Sequence, residues 1–146
     1  DMNRMIDLGV NQVGVQDLPP INGRPSGLLN LIWSAGLNFD GCTFSPDVSV
    51  IDGQISLSAG KYIEFEQSKQ IFNGAFYADL CVKGDYLFEL YVDGALVSSC
   101  NFSSASLLVK KFASFHRTGS AIKWKLTATT DCTVSDISFK DYQLDV

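Results

Sequence analysis

Two Asp-Gly pairs constrain this chain more than any other feature. Asp52-Gly53 and Asp93-Gly94 each stand between stretches in which apolar and polar residues alternate. A two-residue type I′ turn needs positive φ at both central positions, which Asp-Gly tolerates, so each pair predicts a tight β-hairpin. The first joins Val48–Ile51 to Gln54–Leu57, and the second joins residues 85–93 to 95–102. The same period of two recurs in Lys61–Glu66, in 75–82 before Lys83-Gly84, in Ile122-Lys123-Trp124-Lys125-Leu126, and in 134–139. Trp124 falls on the apolar side of its stretch and is expected in the core. Residues 104–116 fit two periods: Leu108, Phe112 and Phe115 make a helical stripe, while Leu107, Val109, Ala113 and Phe115 make a strand face. Strands on both sides favour the strand. The expectation is an all-β chain, an antiparallel sandwich of about 7–9 short strands.

Residues 1–27 read differently. Gly9, Gly14, Gly23 and Gly27 alternate with Pro19-Pro20 and Pro25, and no period persists. This predicts an extended N-terminal arm, with the sandwich domain over 28–146. The arm carries Ile6, Leu8, Val10, Val13, Val15, Leu18 and Ile21, and Trp33 stands at its junction with the domain. A solvated linker is usually more polar, so these side chains are read as an assembly surface, with Trp33 plugging this domain or a neighbour. The chain does not begin with Met, which suggests processing or excision, and it opens on no signal-peptide pattern.

Across the whole chain 46% of residues are hydrophobic and 18% charged, with a net charge of −5. That is too apolar for disorder and too acidic for a nucleic-acid binder. The richest apolar run, Leu28–Trp33, is too short to span a bilayer, so no membrane insertion is expected. Cys42, Cys81, Cys100 and Cys132 have no close-pair spacing. Buried free thiols are the first reading, one or two disulfides the second and a metal site the third. Asn101-Phe102-Ser103 matches a glycosylation acceptor.

The second half has a cadence: Leu108–Phe115, then Thr118-Gly119, Ile122–Leu126, and Val134-Ser135-Asp136-Ile137-Ser138-Phe139. With Asn38-Phe39-Asp40-Gly41 and Phe88–Gly94 upstream, it resembles jelly-roll carbohydrate-binding modules over roughly residues 28–142. The same sandwich occurs in bacteriophage tail and decoration proteins, so the resemblance implies a jelly-roll fold and leaves function open. In such modules a calcium ion often joins the first and last strands, and Asp40 and Asp136 stand at the matching positions. Only one acid occupies the final strand where the pattern has two, and no other cofactor is implied.

His116 is the one imidazole, without a nucleophile-elbow pattern. Glu64 and Glu66 share one strand face rather than flanking a bond from two sides. The chain is therefore not read as an enzyme. Sugar binding needs exposed aromatic faces with hydrogen-bonding groups beside them. Tyr62 alternates with Glu64, Tyr91 with Glu89, and Tyr77 with Asp79, so Tyr62, Tyr77 and Tyr91 are the candidate platforms and Glu64 and Glu89 the candidate acceptors. The first functional expectation is a non-enzymatic subunit of a virion, such as a bacteriophage decoration, head-fibre or attachment protein. Its partners would be other virion subunits in a homo-oligomer clasped by the arm, with a surface glycan as a further ligand. The alternative is an extracellular carbohydrate-binding module of a secreted enzyme or adhesin.

Overall fold

Of the chain's three Asp-Gly pairs, the two predicted as hairpin turns adopt the left-handed backbone that a two-residue hairpin needs: φ is 52° at Asp52, 76° at Gly53, 51° at Asp93 and 83° at Gly94. The computed structural model describes residues 29–143 and, for 71–73, 116–118 and 143, the backbone alone. It contains seven continuous strands: β1 (Asn30–Ser34), β2 (Thr43–Phe44), β3 (Val50–Ile51), β4 (Gln54–Leu57), β5 (Tyr62–Val92), β6 (Ala95–Ala128) and β7 (Cys132–Gln143). Every pairing is antiparallel. The described residues include no helix, so 104–116 is strand, as its surroundings require.

β5 and β6 each run through both layers of a sandwich. Residues 62–68 pair with 121–127, and residues 71–82 pair with 108–119. Residues 84–92 then turn at Asp93-Gly94 and pair with 95–104, while 86–92 also pair with 122–128. The first layer therefore runs β2, 62–68, 121–128, 86–92, 95–104. The second runs 108–119, 71–82, β7, with β1 and β4 both on the far side of β7 and β3 outermost. The second hairpin is fastened to this ribbon: the Asp93 Oδ1 accepts hydrogen bonds from the backbone N–H of Ser120 and of Ala121, both at 2.9 Å.

Alternation of side chains puts Ile63, Phe65, Tyr86, Phe88, Leu90, Ile122, Trp124 and Leu126 between the layers from one side, and Phe76, Leu80, Val82, Ile137 and Phe139 from the other. Trp124 is fully buried, with its ring centroid 5.3 Å from Trp33, 5.7 Å from Phe88 and 6.2 Å from Phe65. Two register shifts alter which parity faces in. In β5 the buried positions change from 63 and 65 to 76, 78, 80 and 82 across the shift between Ser68 and Ile71. In β7 they change from 132 and 134 to 137 and 139 beside Asp136. An inserted residue rotates everything after it to the opposite face, which is how one strand serves two curved layers.

Three expectations change. The strand pattern starts at Asn30, earlier than the alternation suggests, because β1 pairs with β7 through an irregular step between Leu31 and Trp33. Trp33 belongs to this domain's core rather than to the arm: its Nε1 donates to the Asp40 carbonyl at 2.7 Å and its ring meets Phe39, Phe65 and Trp124. Lys83-Gly84 does not divide 75–82 from 85–93 into separate strands, since β5 runs through it. Gly84 is a kink inside β5 with φ of 113°. The arm residues Ile6, Leu8, Val10, Val13, Val15, Leu18 and Ile21 lie outside the described residues.

A Cβ on Gly84 would lie 2.6 Å from the Asp131 carbonyl oxygen and 2.8 Å from the Cys132 Sγ. One on Gly60, where φ is 88°, would meet nothing within 4 Å. Gly84→Ala is therefore expected to cost about 2–4 kcal/mol, from strain plus overlap, and Gly60→Ala about 1 kcal/mol, from strain alone. Urea-unfolding midpoints check this, and equal losses would contradict the close approach at Gly84.

Candidate functional site

On the outer face of the first layer, three adjacent strand segments align in rows. Glu64 stands opposite Lys125, which stands opposite Glu89; Glu66 stands opposite Lys123, and Lys123 opposite Tyr91; Tyr62 stands opposite Thr127, and Thr127 opposite Leu87. An acid–base–acid lattice results, with a tyrosine at each of two corners. The Lys125 ammonium sits 4.3 Å from the centroid of the Tyr62 ring, and Lys123 sits 4.8 Å from that of Tyr91 while reaching Glu64 at 3.8 Å. Burial, the hydrogen bond with Glu89 and the charges of Glu89 and Glu64 raise the Tyr91 hydroxyl above its ordinary pKa. Tyr62, Tyr91, Glu64 and Glu89 are thus brought together. One face of each ring is already covered by a lysine, a contact worth about 0.5–1 kcal/mol at an exposed site.

Tyr77 is not with them. It lies on the outer face of the second layer, opposite Ala113 on one side and Lys140 on the other, so the sandwich core separates it from Tyr62 and Tyr91. Its hydroxyl is buried without a hydrogen-bond partner among the described residues, and burial, then the neighbouring Tyr142, push its pKa up to about 12. Beside it, Asp79 accepts from Lys111 at 2.9 Å and from Lys140 at 3.1 Å. Burial alone would raise its carboxyl, but these two hydrogen bonds and the lysine charges outweigh burial and hold it below its usual 3.8.

At one end of the sandwich, four chain segments converge on a depression of about 580 Å³. The hydroxyl-bearing residues Ser56, Ser58, Ser104 and Thr133 border it, with Lys83 and Asp131 as its charged residues. Leu57, Ala105 and Cys132 supply apolar surface. The walls are pinned. Asp131 accepts from the Ala59 N–H at 3.2 Å, and the Cys132 Sγ and the Thr130 Oγ1 bond to the Asp85 backbone at 3.1 Å each. The Ser104 Oγ donates to the Ser106 carbonyl at 2.7 Å. Gly84 lets β5 press directly against Asp131 and Cys132. Sequence reasoning missed this site. Its trace in the sequence is the hydroxyl clustering at 103–106 and 129–133, which carries no sign that the two clusters meet.

The calcium expectation finds no formed site among the described residues. Among the described residues no three His, Cys, Asp or Glu side chains gather as a cation would require. Asp40 lies in the turn after β1, where its carbonyl serves Trp33, and Asp136 sits at the β7 bulge opposite Cys81. A hard cation needs six to eight oxygens, far beyond what two carboxylates supply. All four cysteines are free thiols; burial raises Cys42 to about 12 and Cys132 to about 11, which makes them unreactive. Asn101 is exposed on the outermost strand of the first layer. The side chain of His116 lies outside the described residues.

Solved structures share this architecture. A CBM35 domain from Paenibacillus barcinonensis matches with 17% identity over 77% of this chain and 98% of that one, with a TM-score of 0.52. A CBM22 xylan-binding domain from the same organism matches with 10% identity over 80% of this chain and 95% of that one, also with a TM-score of 0.52. Part of a family two carbohydrate esterase from Cellvibrio japonicus matches with 6% identity over 82% of this chain and 36% of that one, with a TM-score of 0.50. CBM stands for carbohydrate-binding module. No protein-family model matches the sequence, and neither does any curated protein. The resemblance to carbohydrate-binding modules therefore holds at the level of fold; that to bacteriophage tail and decoration proteins is not shown.

Because the carboxyl of Asp79 is held low, the stability it contributes is present above 3.8 and is lost as pH falls through its folded pKa. Asp79→Asn is expected to lower the unfolding midpoint at neutral pH. The difference from the parent protein should shrink progressively below about pH 4. A pH-independent difference would mean that Asp79 acts through shape rather than charge.

Proposed function

We propose that this chain is a non-catalytic carbohydrate-binding module working outside the cell, and that its sugar seat is the hydroxyl-rimmed depression at the end of the sandwich. The observation that carries this is the depression itself. Serine and threonine hydroxyls both donate and accept, so the rim complements the hydroxyls of a pyranose without imposing one register. Asp131 accepts from sugar hydroxyls, Lys83 donates to their oxygens, and the exposed Ala105 offers apolar contact to the C–H face of the ring. The fold likeness to carbohydrate-binding modules supports the reading without specifying a ligand. Among the described residues Asp131 is the one carboxylate bordering the depression, whereas glycoside hydrolysis takes two acting from opposite sides.

The tyrosine face is the second seat, favoured by the Tyr62–Glu64–Lys125–Glu89–Tyr91 lattice. Stacking there uses the ring faces that Lys123 and Lys125 already occupy, so a sugar would have to displace them.

Calorimetric titration of a panel of soluble xylo-, cello- and manno-oligosaccharides tests the proposal. A Kd of about 10 µM to 1 mM is expected for a shallow polar site. Asp131→Asn keeps the acceptor for Ala59 and should weaken binding about tenfold, and Lys83→Ala should act similarly, both with unchanged melting. Tyr62→Ala and Tyr91→Ala should leave affinity within about twofold. The reverse pattern would move the seat to the tyrosine face, and no binding across the panel would overturn the proposal.

A further inference from the structure

Residues 108–119 of β6 pair with 71–82 of β5 on one side, and among the described residues no strand pairs with their other side. This open edge is unusually apolar. Leu107 is 40% exposed, Leu108 57%, Val109 56% and Phe115 76%. The open edge of the first layer, 95–104, differs: apart from Leu96 it presents Ser98, Ser99, Asn101 and Ser103, the polar blunting that discourages strand addition. A row of backbone donors and acceptors flanked by exposed apolar side chains is a template for another strand.

Lys110 and Lys111 decide which strand fits. Phe112 and Ser114 are buried toward the core, so Val109, Lys111, Ala113 and Phe115 share the outer face. A second copy added about a two-fold axis runs antiparallel and must set outer face beside outer face, so the pairing centres on a single residue. Centred on Lys110 or Lys111, a lysine faces its own copy, which is repulsive. Centred on Ala113, Lys111 faces Phe115 and Val109 is left uncovered. Centred on Phe112, Val109 faces Phe115 of the partner subunit, Phe115 faces the partner's Val109, and Lys111 faces the partner's Ala113. Val109 and Phe115, the two exposed apolar side chains of the outer face within 109–115, are then covered, and no lysine opposes a lysine.

We propose that two copies of this chain pair edge to edge through residues 109–115, antiparallel and centred on Phe112, extending the second layer continuously across the dimer. The inference does not rest on the carbohydrate-binding reading. A contact of this length buries less than a standard interface, so the dimer is expected to be weak, with a Kd of about 10 µM to 1 mM.

Sedimentation equilibrium of the full chain across about 10 µM to 1 mM provides the test. The parent protein should pass from monomer to dimer over this range. Ala113 is exposed, so both substitutions there leave the core intact, which circular dichroism and melting verify. Ala113→Lys sets a lysine opposite Lys111 of the partner subunit twice per dimer and should weaken association about tenfold. Ala113→Glu makes two ion pairs in the same places and should preserve or tighten the dimer, with affinity falling as salt rises. A chain monomeric throughout would overturn the proposal, as would a dimer that both substitutions affect equally.

Discussion

The pairing of β5 with β6 is the constraint on which the rest of the molecule depends. These two strands are hydrogen-bonded to each other in both layers, so the layers are one curled ribbon rather than two sheets brought together. A ribbon that folds over itself must keep one side apolar along its whole length, through every bend. The shift between Ser68 and Ile71 makes that possible by exchanging the parity that faces in. Ile63 and Phe65 precede it and Phe76, Ala78 and Leu80 follow it, all inside. Trp124 then fills the space between the layers, with Trp33, Phe65 and Phe88 around it.

This construction leaves surfaces of different chemistry. The outer face of the first layer is an acid–base lattice in which Lys123 reaches both Glu64 and the Tyr91 ring and Lys125 covers the Tyr62 ring. That makes it well ordered and, for the same reason, partly occupied as a stacking surface. The outer face of the second layer concentrates its charge in the Lys111–Asp79–Lys140 cluster and leaves Phe115 and Val109 uncovered at its edge. The end of the sandwich is where the ribbon, β4 and the start of β7 converge. A depression there is held by the Thr130 and Cys132 side chains bonding to the Asp85 backbone and by Gly84, so the serine and threonine residues around it sit on a fixed frame. Preorganised polar groups of that kind suit a ligand made of hydroxyls, because little ordering remains to be done on binding.

Much of the fold is legible in the sequence because the relevant physics is local. Asp52-Gly53 and Asp93-Gly94 specify their turns by the φ values their own residues tolerate, and the alternation around Trp124 states which side is buried. The grouping of Tyr62 with Glu64, and of Tyr91 with Glu89, follows from the same period. Tyr77 shows where local reasoning stops. Its alternation with Asp79 is as regular as the others, yet it lies across the core from them, because face is a property of one strand and neighbourhood a property of pairing. Trp33 is a second case: its place in the core depends on β1 pairing with β7, more than a hundred residues away in the chain.

By itself the sequence determined the strand class, the two hairpins, the buried side of most strands and the small net charge. Each is decided by backbone conformations and side-chain periods within a few residues. Tertiary structure alone decided which faces meet, which edge stays open, and that hydroxyls near residues 57, 104 and 131 surround one depression. Those outcomes depend on long-range strand pairing and on the parity shifts that bend β5 and β7. A single inserted residue is enough to turn every later side chain to the opposite face.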